Sequence, residues 1–512
     1  RLRAEGDPLP GEYKNAQNAY WSMSAPAKRD SILDVRVAGG TAANPTALFV
    51  QSVTQFEYDN HATSGNVTRQ LEWNSVLRPS VPPVAVTAVT LSGASDSAVT
   101  QHSYATGSAG QTVPTQTIVP GGLTTTYEYG SSAGCGQHLY VTTRKVAPGL
   151  SEQTQSNFEY DCASGLPTRL VDVSNGGVES RFDYDRYGRA TSTIAAAEQS
   201  AANRKSVITT EYDDANDRVR TVANGTAATV THYNPLGEAV MVRTNGDADM
   251  TPIPMAGETG IVSIALSKRV NTAGSEGSYV LRSNPHVAAT ASTEETMGWT
   301  LQRFDQAGRP LEVSQYRGAG MPPPFGANAA LTGKIAYRYQ GRITQMTDEA
   351  GKVTSTEVDA LGRIASATNP AGTTTYTYNA LDNLTGVSQS DAWTYGSQKT
   401  QTRGYAYNSL GWLLSAQNPE SGTVTYSYFA DGALKTRSDA RGVTLTNTLD
   451  ALGRVVKTDY SATDPVTPGL RFCYDGKEYD LASDSCVTVG GRSDHARGAL
   501  THAVARNGAA LV

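Results

Sequence analysis

Carboxylates spaced regularly from glycines are the residues of this chain that most suggest chemistry. Repeated carboxylates of this kind can serve as general acids and bases or coordinate calcium. However, asparagine occupies the equivalent position at Asn234, Asn379 and Asn408, where it keeps the turn-forming oxygen but carries no charge. We therefore predict a structural role for these residues, with no catalytic function and no metal. The carboxylates of this repeated pattern are Asp185, Asp305, Asp359 and Asp450.

Two further patterns could belong to an active or metal site. Residues 130–134 (GSSAG) match the G-x-S-x-G nucleophile elbow, which requires a strand before it and a helix after it. Residues 139–143 (LYVTT) have the composition of another strand, which favours a simple loop. Cys135 and His138 form a C-x-x-H pair without a second pair at zinc spacing. We expect no enzyme activity and no cofactor.

The carboxylates belong to a repeat phrase: an aromatic residue, Asp or Asn, two or three residues, Gly and often Arg. Repetition at a near-constant interval indicates a repeat architecture. Tyr407, Tyr428 and Leu449 follow one another at intervals of 21 residues. The anchors of the phrase are Tyr184, Asp185, Gly188 and Arg189; Tyr233, Asn234 and Gly237; Phe304, Asp305, Gly308 and Arg309; Asp359, Gly362 and Arg363; Tyr407, Asn408 and Gly411; and Asp450, Gly453 and Arg454.

Each residue of the phrase has a mechanical role in a β-hairpin. The aromatic residue ends a strand, and the Asp or Asn side chain accepts backbone N–H groups of the turn. The glycine adopts a positive φ angle, and the arginine begins the next strand, where it pairs across it or stacks on the preceding aromatic. About 21 residues accommodate two strands of roughly six residues and two turns. The sequence therefore predicts an all-β fold of stacked antiparallel hairpins.

The phrase resembles the YD repeat of RHS proteins, a family that includes polymorphic toxins, toxin-complex shells and teneurins. The resemblance implies a long sheet that spirals into a hollow β-shell, or cocoon, around a polypeptide cargo. The cargo it implies is a C-terminal toxin domain, and the composition is typical of a bacterial protein that is secreted or on the cell surface. The alternative is an extracellular adhesive or filament-forming protein that self-associates or contacts glycans through its tyrosines.

The phrase divides the chain into five segments. Residues 1–50 are a non-repeat lead-in, expected to be poor in strands, and 51–245 are the first block of repeats. Residues 246–300 lose the phrase and are expected to be an insertion or irregular hairpins. Residues 301–480 form the second block, and 481–512 begin further repeats that are truncated. We expect the chain to be an interior piece of a longer protein.

Composition limits the kinds of partner that the chain is expected to bind. The 512 residues have a formal net charge of −6, so no basic surface predicts a nucleic-acid partner. No apolar run approaches the roughly 20 residues of a membrane-spanning helix. Cys473 and Cys486 lie 13 positions apart around a turn-rich stretch, where they form either a disulfide or unpaired buried thiols.

Overall fold

The computed structural model describes most of the chain. The described residues are 14–19, 31–39, 48–58, 66–76, 91, 93–95, 97–106, 112–130, 140–196, 206–224, 227–244, 261–270, 277–287, 297–327, 329–392, 399–461, 467–488, 498–507 and 510–511.

Strands dominate these residues, and the only helical element among them is the 3-10 turn Val173–Asn175. The first strands are β1 Lys14–Ala19, β2 Ser31–Gly39, β3 Leu48–Tyr58, β4 Val67–Trp73, β5 Ser97–Thr106, β6 Thr112–Ile118, β7 Thr124–Tyr129, β8 Val141–Val146, β9 Thr154–Tyr160, β10 Pro167–Asp172, β11 Val178–Tyr184, β12 Ala190–Ala195, β13 Ser206–Asp213, β14 Arg218–Ala223, β15 Ala227–Tyr233, β16 Ala239–Thr244, β17 Ile261–Val270, β18 Gly277–Ser283 and β19 His286–Val287. The remaining strands are β20 Gly298–Phe304, β21 Pro310–Arg317, β22 Ala330–Gln340, β23 Ile343–Thr347, β24 Val353–Val358, β25 Ile364–Asn369, β26 Gly372–Tyr378, β27 Leu384–Asp391, β28 Thr400–Tyr407, β29 Leu413–Asn418, β30 Gly422–Tyr428, β31 Leu434–Ser438, β32 Thr444–Leu449, β33 Val455–Tyr460, β34 Gly469–Tyr474, β35 Lys477–Asp480, β36 Ser485–Thr488, β37 Leu500–Asn507 and β38 Ala510–Leu511.

The predicted all-β array of antiparallel hairpins is confirmed. Each pair of strands that flanks a repeat phrase is antiparallel, and its register shifts by one residue at the aromatic of the phrase. Tyr184, Phe304 and Tyr407 all lie at such a shift. A bulge that follows a turn with a positive-φ glycine increases the local twist of a hairpin. The phrase therefore specifies both a turn and the bulge beside it.

The first of two compact units contains Arg1–Val178, Thr374–Asp391 and Ser397–Val512. In its early run, strands β1 to β10 each pair with the next. In its late run, the pairing proceeds from β27 to β34 and then to β37 and β38, while β35 and β36 form a separate hairpin.

The lead-in of residues 1–50 is not poor in strands, because it contains β1, β2 and the start of β3. Leu33, Val35 and Val37 alternate with polar or small residues along β2, which pairs with β1 and β3. Period-two alternation is enough to form a strand without the turn phrase.

The second unit contains Glu179–Thr373 and Ala392–Gly396. Its strands pair in sequence from β11 to β18, β18 pairs with β20, and the ladder continues to β25. The segment 246–300 contributes β17, β18, β19 and the first three residues of β20 as paired strands. A core cluster replaces the phrase there, and its buried members are Tyr279, Leu281, Met297, Trp299 and Leu301.

Candidate functional site

The repeat turn is the element that the sequence singles out. Two backbone hydrogen bonds close it. At the first strong repeat, the Asp185 N–H donates to the Arg189 carbonyl at 2.9 Å, and the Gly188 N–H donates to the Asp185 carbonyl at 3.0 Å. The Asp185 Oδ1 atom accepts the N–H groups of Tyr187 and Arg189 at 2.8 and 3.0 Å. Gly188 has a φ of 79°, which an L-residue rarely adopts. One side-chain oxygen therefore satisfies two backbone donors.

The same hydrogen bonds to Oδ1 recur with either Asp or Asn as the first residue of the turn, because both side chains carry this acceptor. Asp348 and Asp439 follow polar residues and not an aromatic or large apolar residue, so the phrase did not include them. The available signal was the glycine three residues later, Gly351 or Gly442. The residues whose Oδ1 accepts the N–H groups two and four positions later are Asp185, Asn234, Asp305, Asp348, Asp359, Asn379, Asn408, Asp439 and Asp450.

The second side-chain atom distinguishes the two kinds of turn. In the Asp turns that end in arginine, Oδ2 accepts the Nε–H of that arginine at 2.6 to 2.8 Å. In the Asn turns the fifth residue is Glu238, Asn383 or Trp412. The amide of Asn234 donates to Glu238 at 2.8 Å. In these turns an Asp at the first position therefore accompanies an arginine at the fifth, whereas an Asn accompanies a residue that is not positively charged.

Hydrogen bonding keeps these carboxylates ionised. Burial alone would raise the pKa of Asp185 and Asp359, but hydrogen bonds from the backbone and side chains of Arg189 and Arg363 lower each pKa below its ordinary value. The backbone N–H of Arg309 does the same for the pKa of Asp305. A general acid at neutral pH needs the opposite shift. The arrangement is suited to holding a turn.

The arginine of the phrase reaches forward to the next repeat rather than back to the preceding aromatic. The Arg309 guanidinium lies 4.5 Å from the ring centroid of Tyr339. The Arg454 guanidinium lies 4.4 Å from the Tyr474 ring and also forms an ion pair with Asp475 at 2.6 Å. Arg189 likewise stacks on Tyr212 at 4.1 Å. The expected stacking partner was wrong because the strand that the arginine begins lies beside the next repeat.

The phenol hydroxyl adds a second link between repeats, and aromatic residues replace arginine in two of them. Trp412 stands at the arginine position and packs on Tyr428 at 5.4 Å, and Tyr140 stacks on Tyr160 at 4.9 Å. In every case the hydroxyl donates to the carbonyl just after the stacked residue. These pairs are Tyr160 with Val141, Tyr212 with Ala190, Tyr339 with Pro310, Tyr428 with Leu413 and Tyr474 with Val455, at 2.7 to 3.1 Å.

A disulfide joins Cys473 on β34 to Cys486 on β36, with 5.5 Å between the Cα atoms. It ties the β35–β36 hairpin to the late run, and Cys162 is also disulfide-bonded. Asp484 beside the bridge accepts hydrogen bonds from Arg471 and Tyr479 at 2.9 and 2.8 Å. The Arg471 guanidinium is the main cause of the lowered pKa of Asp484.

The early and late runs of the first unit meet at a serine seam, the Ser75/Ser409 seam. The Ser75 N–H donates to the Ser409 hydroxyl at 2.9 Å, and the Ser409 N–H donates to the Ser75 hydroxyl at 3.0 Å. The Ser409 hydroxyl donates in turn to the Trp73 carbonyl at 2.5 Å. Asn408, which opens this turn, is 3% exposed. The seam joins residues 334 positions apart in the chain.

Other candidate sites fall partly outside the described residues. Gly130 follows β7, whereas residues 131–134, Cys135 and His138 lie outside the description. Within the described ranges, no group of three or more His, Cys, Asp or Glu side chains could hold a metal ion. In the same ranges no helix has the length and apolar character needed to cross a bilayer.

Comparison with known proteins agrees with the repeat geometry. The RHS Repeat family model matches residues 358–392, which contain the Asp359 and Asn379 turns. No curated protein matches the chain in sequence. Together with the solved structures described next, the family model confirms the predicted resemblance to RHS/YD-repeat proteins.

Several solved structures share the fold at low sequence identity. The TcdB2-TccC3-Cdc42 crystal structure has a TM-score of 0.58 and 11% identity, covering 90% of this chain and 30% of that one. The TcdB2-TccC3 crystal structure has a TM-score of 0.57 and 12% identity, with 90% and 28% covered. The Photorhabdus luminescens Tc holotoxin pore has a TM-score of 0.57 and 11% identity, with 92% and 30% covered. The chain spans about 30% of the first of these chains and has their fold.

Proposed function

We propose that the chain is a wall segment of an RHS-type shell that encloses a polypeptide, with a toxin domain outside these residues as the cargo. The observation that carries the proposal is the fold shared over 90% of the chain with TcdB2-TccC3 structures. Two of these are TcdB2-TccC3-Cdc42 and TcdB2-TccC3-TEV, each with a third component in its name.

The proposed mechanism is mechanical and has no catalytic step. Repeats linked by paired strands, stacked side chains and phenol hydrogen bonds form the wall. Such a wall excludes proteases from what lies behind it. The turn carboxylates are occupied by backbone and arginine donors, which supports a non-enzymatic role.

We place the protein outside the cytoplasm, secreted from a bacterium or on its surface. The disulfide between Cys473 and Cys486 supports this location, because disulfides persist in oxidising compartments. The alternative role as a surface adhesin or filament draws support from exposed aromatic and apolar residues at the turn tips. Tyr187 is 61% exposed and Leu236 is 83% exposed, so both side chains are accessible from solvent.

Protection of the cargo tests the proposal. The full-length protein that contains this chain is imaged by electron microscopy and digested with a nonspecific protease. The shell predicts discrete hollow particles in which the polypeptide downstream of the wall resists digestion until the wall is denatured. Filaments together with prompt cleavage of the downstream polypeptide would contradict enclosure. Retention on a glycan array would then favour the adhesive role.

A further inference from the structure

The β35–β36 hairpin is an excursion from the main sheet of the first unit. Strand β34 ends at Tyr474 and pairs directly with β37, which begins at Leu500. Between them, β35 and β36 pair with each other and form a separate two-stranded sheet. No backbone ladder joins this hairpin to the main sheet among the described residues, so it can move while the pairing of β34 with β37 is kept.

The hairpin lies over one face of β34 and β37. Cys473 and His502 are directly opposite each other on these two strands, so their side chains share that face. Cys473 is bonded to Cys486 of β36, and the Tyr479 N–H of β35 donates to His502 Nδ1 at 2.9 Å. Both strands of the hairpin therefore dock on the same face of the main sheet.

The contacts that dock the hairpin, apart from the disulfide, are polar. Asp484 in its turn accepts a hydrogen bond from Arg471 of β34 at 2.9 Å. Further polar links join the Tyr479 hydroxyl to Arg506 at 3.0 Å and the Lys477 carbonyl to the Thr501 hydroxyl at 2.7 Å. The large aliphatic side chains Leu481 and Val487 stay 38% and 39% exposed. Because water can replace polar partners, each of these bonds contributes modestly. The disulfide is therefore the strongest restraint on the hairpin.

The hairpin also contacts the early run. The Lys477 Nζ atom lies 3.7 Å from Glu152 Oε1, in the turn between β8 and β9. A hydrogen bond from Ser151 is the main cause of the lowered pKa of Glu152, and the charge of Lys477 lowers this pKa further. Residues 477–488 are therefore a strap, bonded covalently to the late run and paired by charge with the early run.

The disulfide of the strap is accessible from one side. Cys473 is 1% exposed, whereas Cys486 is partly exposed and lies between the exposed residues Ser485 and Val487. The thiolate of an external dithiol attacks the Cys486 sulfur, the S–S bond breaks, and Cys473 leaves as a thiolate that takes up a proton. The second thiol of the reagent then displaces Cys486. The dithiol loses two electrons and becomes a disulfide, and the protein gains two thiols.

We propose that the Cys473–Cys486 disulfide is a redox latch, whose reduction by a thiol frees the strap from β34 and β37 and breaks the contact of Lys477 with Glu152. In oxidising surroundings the bond persists and holds both contacts, whereas a thiol-rich compartment releases them. The pairing of β34 with β37 is the same in both states. The inference does not depend on the shell proposal.

Hydrogen–deuterium exchange of the 512-residue chain, measured by mass spectrometry before and after treatment with dithiothreitol, tests the proposal. We expect reduction to speed exchange at least tenfold in residues 477–487, where the Tyr479 amide reports docking on His502. Exchange in residues 148–153 should rise by a smaller factor, because a partly exposed ion pair contributes little. Residues 413–449 should not change. The C473S/C486S variant should exchange like the reduced chain without any reductant.

Two variants separate the latch from other effects of the reductant. Cys162 is also disulfide-bonded, so C473S/C486S must no longer respond to dithiothreitol in residues 477–487. In E152Q, which keeps a side-chain oxygen and loses the charge, reduction should still free the strap but leave exchange in residues 148–153 unchanged.

The proposal is overturned by unchanged exchange of the strap on reduction, or by an equal response to reductant in C473S/C486S. A freed strap without any change in residues 148–153 of the native chain overturns it as well. If C473S/C486S is unfolded by circular dichroism, iodoacetamide labelling of the partly reduced native chain decides the question. Exchange of the strap must then rise with the labelling of Cys486 and not with that of Cys162.

Discussion

The turns at 408–412 and 450–454 have the same hydrogen bonds from their backbone N–H groups, but one is uncharged and the other contains an ion pair. In both, the first residue accepts two N–H groups through Oδ1, at 2.8 to 3.0 Å. Asp450 then binds Arg454, which continues to Asp475 in the next repeat. Asn408 has a buried amide nitrogen that finds no hydrogen-bond partner among the described residues, and the fifth residue of its turn is Trp412. The comparison shows that the Oδ1 atom of the first residue forms the turn, whereas its second side-chain atom and the fifth residue set the charge of the turn.

The surroundings explain the difference. The Asn408 turn is buried against the early run at the Ser75/Ser409 seam, where an ion pair would lose its hydration. The Arg454 side chain retains 17% exposure and has two carboxylate partners. Desolvating a charge is costly unless it is fully paired. A repeat can therefore exchange its ion pair for an amide and an indole where its turn must dock.

The largest effect is expected for Asn408→Asp, which erases the difference between the turns without supplying the arginine. The new carboxylate oxygen is buried without a cation, so we expect a loss of about 3 kcal/mol in the free energy of unfolding. Urea denaturation monitored by circular dichroism measures it.

The matched control is N234D/E238Q, because its turn is on the surface and glutamine at 238 can donate to the new carboxylate, which Glu238 would repel. This variant should cost less than about 1 kcal/mol. The double variant N408D/W412R rebuilds the Asp–Arg pairing and should recover part of the loss. Equal effects at 408 and 234 would contradict the role given to burial.

Asp450→Ala should have the next largest effect, since it removes the Oδ1 acceptor of two backbone donors and the Arg454 partner. We expect a loss of about 2 kcal/mol. Asp450→Asn retains the Oδ1 bonds and leaves Arg454 paired with Asp475, so its loss should be about half as large. Equal losses in thermal unfolding would show that the charge, and not the turn oxygen, dominates.

A smaller effect is expected from Tyr428→Phe and Tyr474→Phe. Each removes one hydroxyl bond, at 2.7 or 3.1 Å, while keeping the stacked ring. The loss should be about 1 kcal/mol in both, whether Trp412 or Arg454 is the stacking partner. Chemical denaturation checks this. A much larger loss at one site would show that the two links between repeats are not equivalent.

The smallest expected effect is the dependence of stability on pH at the Asp359 turn. The pKa of Asp359 lies below its ordinary value, so its contribution is complete above the unfolded pKa of about 3.9 and is lost as pH falls through the folded value. Asp359→Asn should therefore differ from the native protein in melting temperature at pH 6 and less so at pH 3. A difference that grows in acid would contradict the sign of this shift.

The sequence predicted the hairpins because turn and strand are both local properties. It missed the Asp348 turn because every anchor of the phrase follows an aromatic or a large apolar residue, whereas Thr347 precedes Asp348. The turn itself requires only an Oδ1 acceptor and a positive-φ residue three positions later. It left residues 246–300 open between an insertion and irregular hairpins, because a buried cluster around Trp299 specifies their strands without the phrase. Packing of that kind depends on neighbours that are distant in sequence.

Contacts across repeats were harder to predict. The forward stacking of Arg309 on Tyr339 depends on which neighbouring strand lies beside the arginine, and spacing alone does not give this. The Ser75/Ser409 seam could not be predicted, because two ordinary serines in polar turns carry no signal of their contact.

The serine seam has a consequence during protein synthesis. Its two halves are 334 residues apart, and translation proceeds at about 5–20 residues per second. For roughly 20 to 70 seconds after Ser75 is made, the surface that will receive Ser409 has no partner. The early strands must remain unaggregated on the ribosome for that time. Slower elongation would prolong this exposure and lower the yield of folded protein, even though every contact in the finished molecule stayed the same.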